Sequence, residues 1–283
     1  MIQSEIEFRE LTHYSEFCEI EDIQRDAWGM SDIEIVPKRE IFATCKSGGV
    51  AIGCFTTKSM IGYCWGWVGK KNKHGVFLYS HHNAVRKTFQ NQGIGHLLKL
   101  QQRKWSIQNN FKMINWTFDP LQSKNCYLNF HKLGAICDTY YSNYWGPMHD
   151  AENIGMDTDR FYCNWILKSE RVKQRLDQKV DLFDEEILNP SNHTINTVIR
   201  DNHLIINKIN LNLISRTLTV EIPSNINFMR KHNIDLVVEW REKTRKVFQT
   251  YFKKGYAVTD FVLKREGTKI LKSFHILTKK GGS

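Results

Sequence analysis

The sequence predicts a mixed α/β chain of the α+β kind: a mostly antiparallel central sheet flanked by helices, then a smaller C-terminal α+β domain. Three observations carry this. Between Val50 and Val85, three runs rich in β-branched and aromatic residues follow one another, separated by Thr57-Lys58-Ser59 and by the glycine-bounded, basic stretch 69–75. Such spacing predicts an antiparallel meander. On both sides of it, apolar residues recur at helical intervals. From Lys168 to about Thr194 the chain turns charged and polar and reads as a connector.

In chain order, Ile6, Phe8 and Leu11 suggest a first strand. Phe17, Ile20, Ala27 and Trp28 fall at helical spacing after the candidate caps Thr12 and Ser15, and Pro37 suits the first turn of a second helix ending before Gly48-Gly49. The meander strands are expected at 50–56, 60–68 and 76–85. A helix over 94–108, a strand over 112–118, a helix over 123–133 stopped by Gly134, and strands over 135–144 and 161–167 complete the first domain. The predicted order is therefore β-α-α-β-β-β-α-β-α-β-β. The expected organisation is 1–168 as the first domain, 169–194 as connector and 195–283 as the second. The second should hold a strand pair near 204–222, a short helix near 225–231, a long helix over 234–254 closed by Gly255, and strands from Tyr256 onward.

Composition narrows the function classes. With 41% hydrophobic and 25% charged residues the chain is balanced like a soluble globular protein, and no apolar run approaches the roughly 18 residues needed to span a bilayer. The acidic start, Met1-Ile2-Gln3-Ser4-Glu5, does not look like a secretory signal, so a cytoplasmic location is expected and a membrane partner is not. Seven scattered cysteines, never spaced as Cys-x-x-Cys, read as reduced thiols, not zinc ligands. The net charge of +10 is compatible with nucleic acid, with a polyphosphorylated cofactor or with an acidic carrier protein. Because the basic residues form no dense run, nucleic acid is the least favoured of the three.

The most informative stretch lies between the third meander strand and the helix after it: Gln90-Asn91-Gln92-Gly93-Ile94-Gly95-His96. At such a corner the first N–H groups of the helix lack partners and carry the positive end of its dipole, so closely spaced glycines let an anion rest on them. A dinucleotide fingerprint would need glycine where Leu98 stands, and a Walker loop would need Gly-Lys-Ser/Thr where Gly95 precedes His96. What remains is Gln-x-x-Gly-x-Gly.

That motif, between a predicted strand and a predicted helix, resembles the pyrophosphate loop of the GNAT superfamily, the Gcn5-related N-acetyltransferases. A second likeness is a helix ending in Leu133-Gly134 before an apolar strand. Further stretches, Thr117-Phe118-Asp119-Pro120-Leu121, Gly155-Met156-Asp157-Thr158-Asp159-Arg160-Phe161 and Tyr251-Phe252-Lys253-Lys254-Gly255-Tyr256, are similar to a little-characterised subgroup of long, two-domain GNAT chains. The last also faintly repeats the helix-to-strand ending of the first domain, as either a degenerate GNAT-like half or a chance likeness.

The resemblance implies an acyl-CoA, acetyl, succinyl or longer, as co-substrate, with no metal. It places Asn83, Ala84 and Val85 beside pantetheine, Gln90 through His96 around the pyrophosphate, and Asn125 on the cofactor. Strand alternation puts Tyr79, His81, Asn83 and Val85 on one face, which makes His81, near its ordinary pKa of about 6.5, the first choice of general base. Tyr79 stands where some relatives carry a catalytic carboxylate. Phe130 occupies the family's tyrosine position, so Tyr127, one helical turn earlier, is the candidate proton donor. Asp119 is expected to orient the base or bind the acceptor ammonium, with Trp145 and Arg160 on the acceptor. A packed strand histidine, a core tyrosine or a surface ion pair would look the same in sequence. His81 and His82 should point to opposite faces and share no metal.

The function this implies is direct transfer of an acyl group to the amine of a small molecule such as an amino acid. Two alternatives stay open: an acyl carrier protein as donor, or a non-catalytic acyl-CoA sensor. The second domain leaves room for a homodimer.

Overall fold

A computed structural model describes residues 6–71, 75–148, 155–177, 185–200, 203–266 and 269–281. Their contacts divide the chain elsewhere than at the expected connector. One compact unit runs to Trp116 and takes in Ile166–Lys168; the other holds Thr117–Met148, Gly155–Trp165 and everything from Ser169.

In the first unit the strands β1 (Glu7–Glu10), β2 (Val50–Phe55), β3 (Met60–Lys71), β4 (Gly75–Val85) and β5 (Met113–Phe118) lie in chain order. The expected meander is present: β1 to β4 pair antiparallel through Arg9↔Gly53, Cys54↔Gly62 and Tyr63↔Ala84. β5 joins β4 in parallel at Leu78↔Ile114, as a crossover through a helix requires. The helices are α1 (Cys18–Trp28), α2 (Lys38–Lys46) and α3 (Ile94–Gln108). Phe17, Ile20, Ile23 and Ile41 are wholly buried against Ala51, Met60, Tyr63 and Trp65 of the sheet. Each such side chain removed from water stabilises the fold by about 1.5–3 kcal/mol. Gln24 is buried among them because both ends of its amide bond the backbone of Val36, at 2.9 Å each.

The second unit orders its strands β7 (Arg160–Ile166), β6 (Ile136–Tyr141), β11 (Tyr256–Glu266), β12 (Lys269–Lys279) and β10 (Thr217–Ile222). All neighbours are antiparallel. The strand that opens the expected second domain's C-terminal part, β11, pairs directly with β6 at Val258↔Cys137. The expected strand pair near 204–222 does not form. β9 (His203–Ile209) pairs with β8 (Ile195–Arg200) in a separate hairpin, while β10, buried from Leu218 to Ile222, pairs with β12 as the last strand of the large sheet. Within 169–194, Glu170–Leu176 forms the helix α5, capped by the Ser169 hydroxyl, which accepts the Val172 N–H.

Helix α6 (Ile226–His232) precedes α7 (Ile234–Lys253), whose first turn is capped by Asn233, its side chain accepting the Leu236 N–H at 3.0 Å. One face of α7 buries Val237, Trp240, Arg241, Thr244, Val247, Phe248 and Tyr251. The helix expected over 123–133 differs: α4 (Ser123–Cys126) widens into a π-helical turn over Tyr127–Lys132, where Leu133 N–H reaches back to Leu128 O. All seven cysteines are free thiols, mostly buried as expected, with Cys18 exposed. Among the described residues, no helix is long and apolar enough to cross a membrane.

Candidate active site

The corner after β4 is built by its neighbours. Arg86 N–H donates to Ile61 O and its Nε to Met60 O, both at 2.9 Å, while Asp26 of α1 accepts the Lys87 N–H at 2.8 Å. Gln90 folds back, its Nε2 donating to Val85 O at 3.0 Å. The predicted motif glutamine therefore ties the loop to the end of the strand. Asn91 and Gly93 then adopt left-handed backbone, φ 62° and 83°, and the second is the N-cap of α3. A glycine at 93 avoids the steric cost other residues meet there.

No side chain caps α3, and among the described residues no protein acceptor takes the N–H groups of Gln92, Gly93, Ile94 or Gly95. Gln92 and Gly93 are exposed. A Cβ built on Gly93 meets nothing within 4 Å, and one on Gly95 meets only Asn83 Nδ2 at 3.6 Å and Val85 Cγ2 at 4.0 Å. The glycines are thus not demanded by packing; they leave open space over a polarised turn. Asn83 Nδ2 donates to Gly95 O at 3.1 Å, and its buried Oδ1 has no protein partner. Ala84 is buried and Val85 nearly so, while His96 sits half-buried in the first turn of α3.

Upstream on β4 the regular alternation breaks. Trp65 pairs with His82 and Gly66 with Ser80, so His81 has no residue opposite it: the strand bulges there. Gly66 makes the approach possible, since a Cβ on it would lie 2.6 Å from Tyr79 O and 3.1 Å from Ser80 Cα. The bulge corrects the expectation of opposed histidines, because the His81 and His82 rings stack at 4.6 Å with 22° between their planes. His82 is buried, with Nδ1 2.8 Å from Tyr63 Oη and its ring against Trp28. His81 lies among Trp65, Trp67 and Tyr79, with ring centroids at 5.4, 4.8 and 6.0 Å. Burial pushes His81 down to about 4, and His82 well below the ordinary histidine range. This departs from the ordinary pKa expected of His81, because the surrounding rings desolvate the imidazolium.

In the second unit, Asp119 does not face an open acceptor site. Its carboxylate is held by Arg241 Nη1 and Nη2 at 2.6 Å each and accepts the Leu121 N–H at 2.8 Å. Although burial alone would raise its pKa, the guanidinium keeps it below the ordinary value. Tyr127 is half-buried and stacks on His131 at 4.7 Å. The wider π-helical turn explains why it does not share the face of Phe130, which is fully buried against Phe118 and Phe161. Asn125 is exposed on α4. Arg160 begins β7, only 8% exposed, with Nη1 donating to Asp159 O at 3.0 Å. Trp145 stands 45% exposed in the preceding turn. Cys126 Sγ and His275 Nε2 are 3.7 Å apart, but both are wholly buried and burial drives the thiol pKa well up, which is the opposite of an activated nucleophile.

The element order from β1 to β7, with an uncapped glycine turn before α3, is the order the resemblance implies. No protein-family model and no curated protein matches the chain. Among solved structures, it is similar to the ribosomal-protein-S18-alanine N-acetyltransferase from Escherichia coli, at 12% identity and a TM-score of 0.47, over 58% of this chain and 95% of that one. It is similar also to a chain of the NatC complex bound to Gag peptide and CoA, at 16% identity and 0.46, over 57% and 98%. Ard1 from Thermoplasma volcanium matches at 12% identity and 0.45, over 58% and 99%.

Further charged residues without a sequence signal of their own cluster in the second unit. Arg245 of α7 binds Asp159 through Nε and Nη2 at 2.7 and 2.8 Å and reaches Asp157 at 2.6 Å. Tyr140 Oη also donates to Asp159, at 2.6 Å. Both acids lie more than eighty positions from the arginine, so only one signal was available: Arg241 and Arg245 are four apart on a helix, on the same side as Val237 and Phe248.

Proposed function

We propose that this protein is an acyl-CoA-dependent N-acyltransferase that passes an acyl group directly to the amine of a small molecule. One observation carries the reading. The turn from Gln92 to Gly95 offers unpartnered N–H groups at the positive end of a fifteen-residue helix, over space that its glycines leave open. A diphosphate matches that charge and geometry, and the end of β4, Asn83 to Val85, lies beside it for an extended arm such as pantetheine.

In the reaction so proposed, the amine nitrogen attacks the thioester carbonyl, the C–S bond breaks, and the ammonium proton leaves as the amide forms. His81 is the proposed acceptor of that proton. Being neutral throughout the neutral pH range, it is always ready to accept a hydrogen bond from the amine, and at a pKa near 4 it passes the proton on to water without retaining it. Tyr127 remains the proposed donor to the departing thiolate, Asn125 a cofactor contact, and Tyr79 a wall residue beside His81. Asp119 carries no step in this scheme.

The weak basicity of His81 and the closure of Asp119 favour a second reading, an acyl-CoA sensor without turnover. Calorimetric titration with CoA, followed by a primary-amine screen with acetyl-CoA and succinyl-CoA, separates the two. Binding with amide product supports the enzyme, binding without product of any amine supports the sensor, and absence of CoA binding removes both. An acyl carrier protein as donor, suited to the net charge of +10, predicts faster turnover from the acylated carrier than from acyl-CoA.

A further inference from the structure

In the first unit, β3 and β4 run on past the strands beside them. β2 leaves β3 at Val50↔Gly66 and β5 meets β4 only from Leu78↔Ile114, so among the described residues no strand flanks the ribbon made by 67–71 and 75–77. Two glycines fix the departure of β2. A Cβ on Gly49 would lie 2.5 Å from Gly66 O, and Gly48, at φ 94°, turns the chain toward α2, with Gly49 N–H donating to Thr44 O at 2.9 Å. From Val68 onward the outer edge of β3 has no strand beside it. Cross-strand packing stiffens the ribbon, because the Phe77 ring lies over Gly69, where a Cβ would sit 2.4 Å from Phe77 Cε2. An edge already ordered loses little further entropy when a strand joins it.

Exposure alternates along this edge. Val68 and Lys70 are exposed on one face, with Val76, 54% exposed, opposite Lys70, while Trp67, Gly69 and Lys71 on the other face are half-buried. The charge around them has one sign: from Ile41 to Phe118 the sequence contains eleven lysines and arginines and no aspartate or glutamate. Lysines on a bare edge repel a second copy of that edge, which guards against edge-to-edge aggregation, and the same charge attracts a strand of opposite sign.

We propose that the edge of β3 from Val68 to Lys71 is a docking site for an acidic, extended segment of a partner protein. The segment adds to the sheet as a strand, with carboxylates opposite Lys70 and Lys71 and an apolar residue opposite Val68. Exposed valines beside the lysines favour a protein over a nucleic acid, whose phosphates gain nothing from an aliphatic side chain. The edge lies at the opposite end of the eleven-residue β4 from the corner after Val85, roughly 30 Å away, and the proposal is independent of the acyl-transfer reading.

Fluorescence anisotropy with three labelled peptides tests the docking site. The probe acetyl-TTEETV-amide is compared with acetyl-TTKKTV-amide, which reverses its charge, and with acetyl-TPEEPV-amide, whose prolines, three positions apart, remove an N–H facing β3 in either register. The acidic peptide should bind saturably at low salt, the other two at least about tenfold more weakly, and amide hydrogen exchange over 67–71 should slow in its complex. Lys70→Glu with Lys71→Glu should lose the acidic peptide and gain the lysine peptide. Lys58→Glu with Lys246→Glu, the same change of net charge at exposed positions off the edge, should alter binding less than about twofold. Equal binding of the proline peptide, or equal loss in the two double variants, overturns strand addition here. So does a uridine 20-mer that binds through Lys70 and Lys71 when the acidic peptide does not, which would assign the lysines to a phosphate backbone.

Discussion

Arg241 and Asp119 meet fork to fork, each guanidinium Nη 2.6 Å from a carboxylate oxygen, with side chains only 2% and 7% exposed. The pair joins the middle of α7 to the turn after β5, within one compact unit. Desolvating two charges is expensive, and such a pair is better described as irreplaceable by halves than as a source of large net stability. Arg241→Met should therefore destabilise the protein by about 3–5 kcal/mol, by leaving Asp119 buried and charged, whereas Arg241→Met with Asp119→Leu should recover most of the loss. Urea denaturation midpoints measure both; equal loss in the single and double variants would contradict the account.

Gly95→Val separates binding from folding. The space beside Gly95 contains only Asn83 Nδ2 and Val85 Cγ2 at ordinary contact distance, so the protein tolerates the side chain and unfolding free energy should change by less than about 1 kcal/mol. The added methyl groups occupy the proposed diphosphate position, and CoA affinity should fall at least about tenfold, or about 1.4 kcal/mol. Retained affinity would show that the turn does not hold the cofactor.

His81→Ala should lower turnover at least about tenfold while leaving the CoA dissociation constant nearly unchanged. Because burial pulls His81 down to about 4, the wild-type rate should show no loss attributable to it between pH 7 and about 5, and should decline only as the pH approaches 4 and the ring is protonated. An acid limb near 6.5 that disappears in His81→Ala would mean the imidazole is solvated in the working enzyme.

His275 makes folding sensitive to mild acid. It is fully buried, donates Nε2–H to Pro120 O at 2.9 Å, and has its pKa pulled down to about 3. A folded pKa below the unfolded value of about 6.5 means that its contribution is complete above that value and is lost as the pH falls toward 3, since only the unfolded chain takes up the proton. From pH 7.5 to 5.0 this one group should remove roughly 2 kcal/mol of stability. That window lies above the range where Asp119, whose folded pKa is also depressed, begins to lose its own contribution. Comparing urea midpoints at the two pH values for the wild type and His275→Gln tests the assignment: the variant should lose markedly less on acidification.

The local elements of this chain were legible because their causes are local. The meander, α3 and the glycine turn announced themselves through alternation, helical spacing and the lack of a side chain at 93 and 95. The same holds for α7, read from its apolar face and Gly255. Where a regular period was broken, the reading failed: the bulge at His81 turned two histidines toward each other, and the π-helical turn moved Tyr127 off the face of Phe130. One residue inserted, or one wider turn, shifts every side-chain direction inferred by counting, and nothing in composition marks where that happens.

By itself, then, the sequence determined the element order and the chemistry of the corner, because backbone sterics and dipole ends depend on neighbours along the chain. Tertiary structure alone decided the charge states and the pairings. His81 lost its basicity to rings brought from β3, and Asp119 lost its freedom to an arginine on α7. Desolvation and ion pairing depend on what lies within a few ångströms in space, and those partners are set by how the strands and helices pack, not by their distance in sequence.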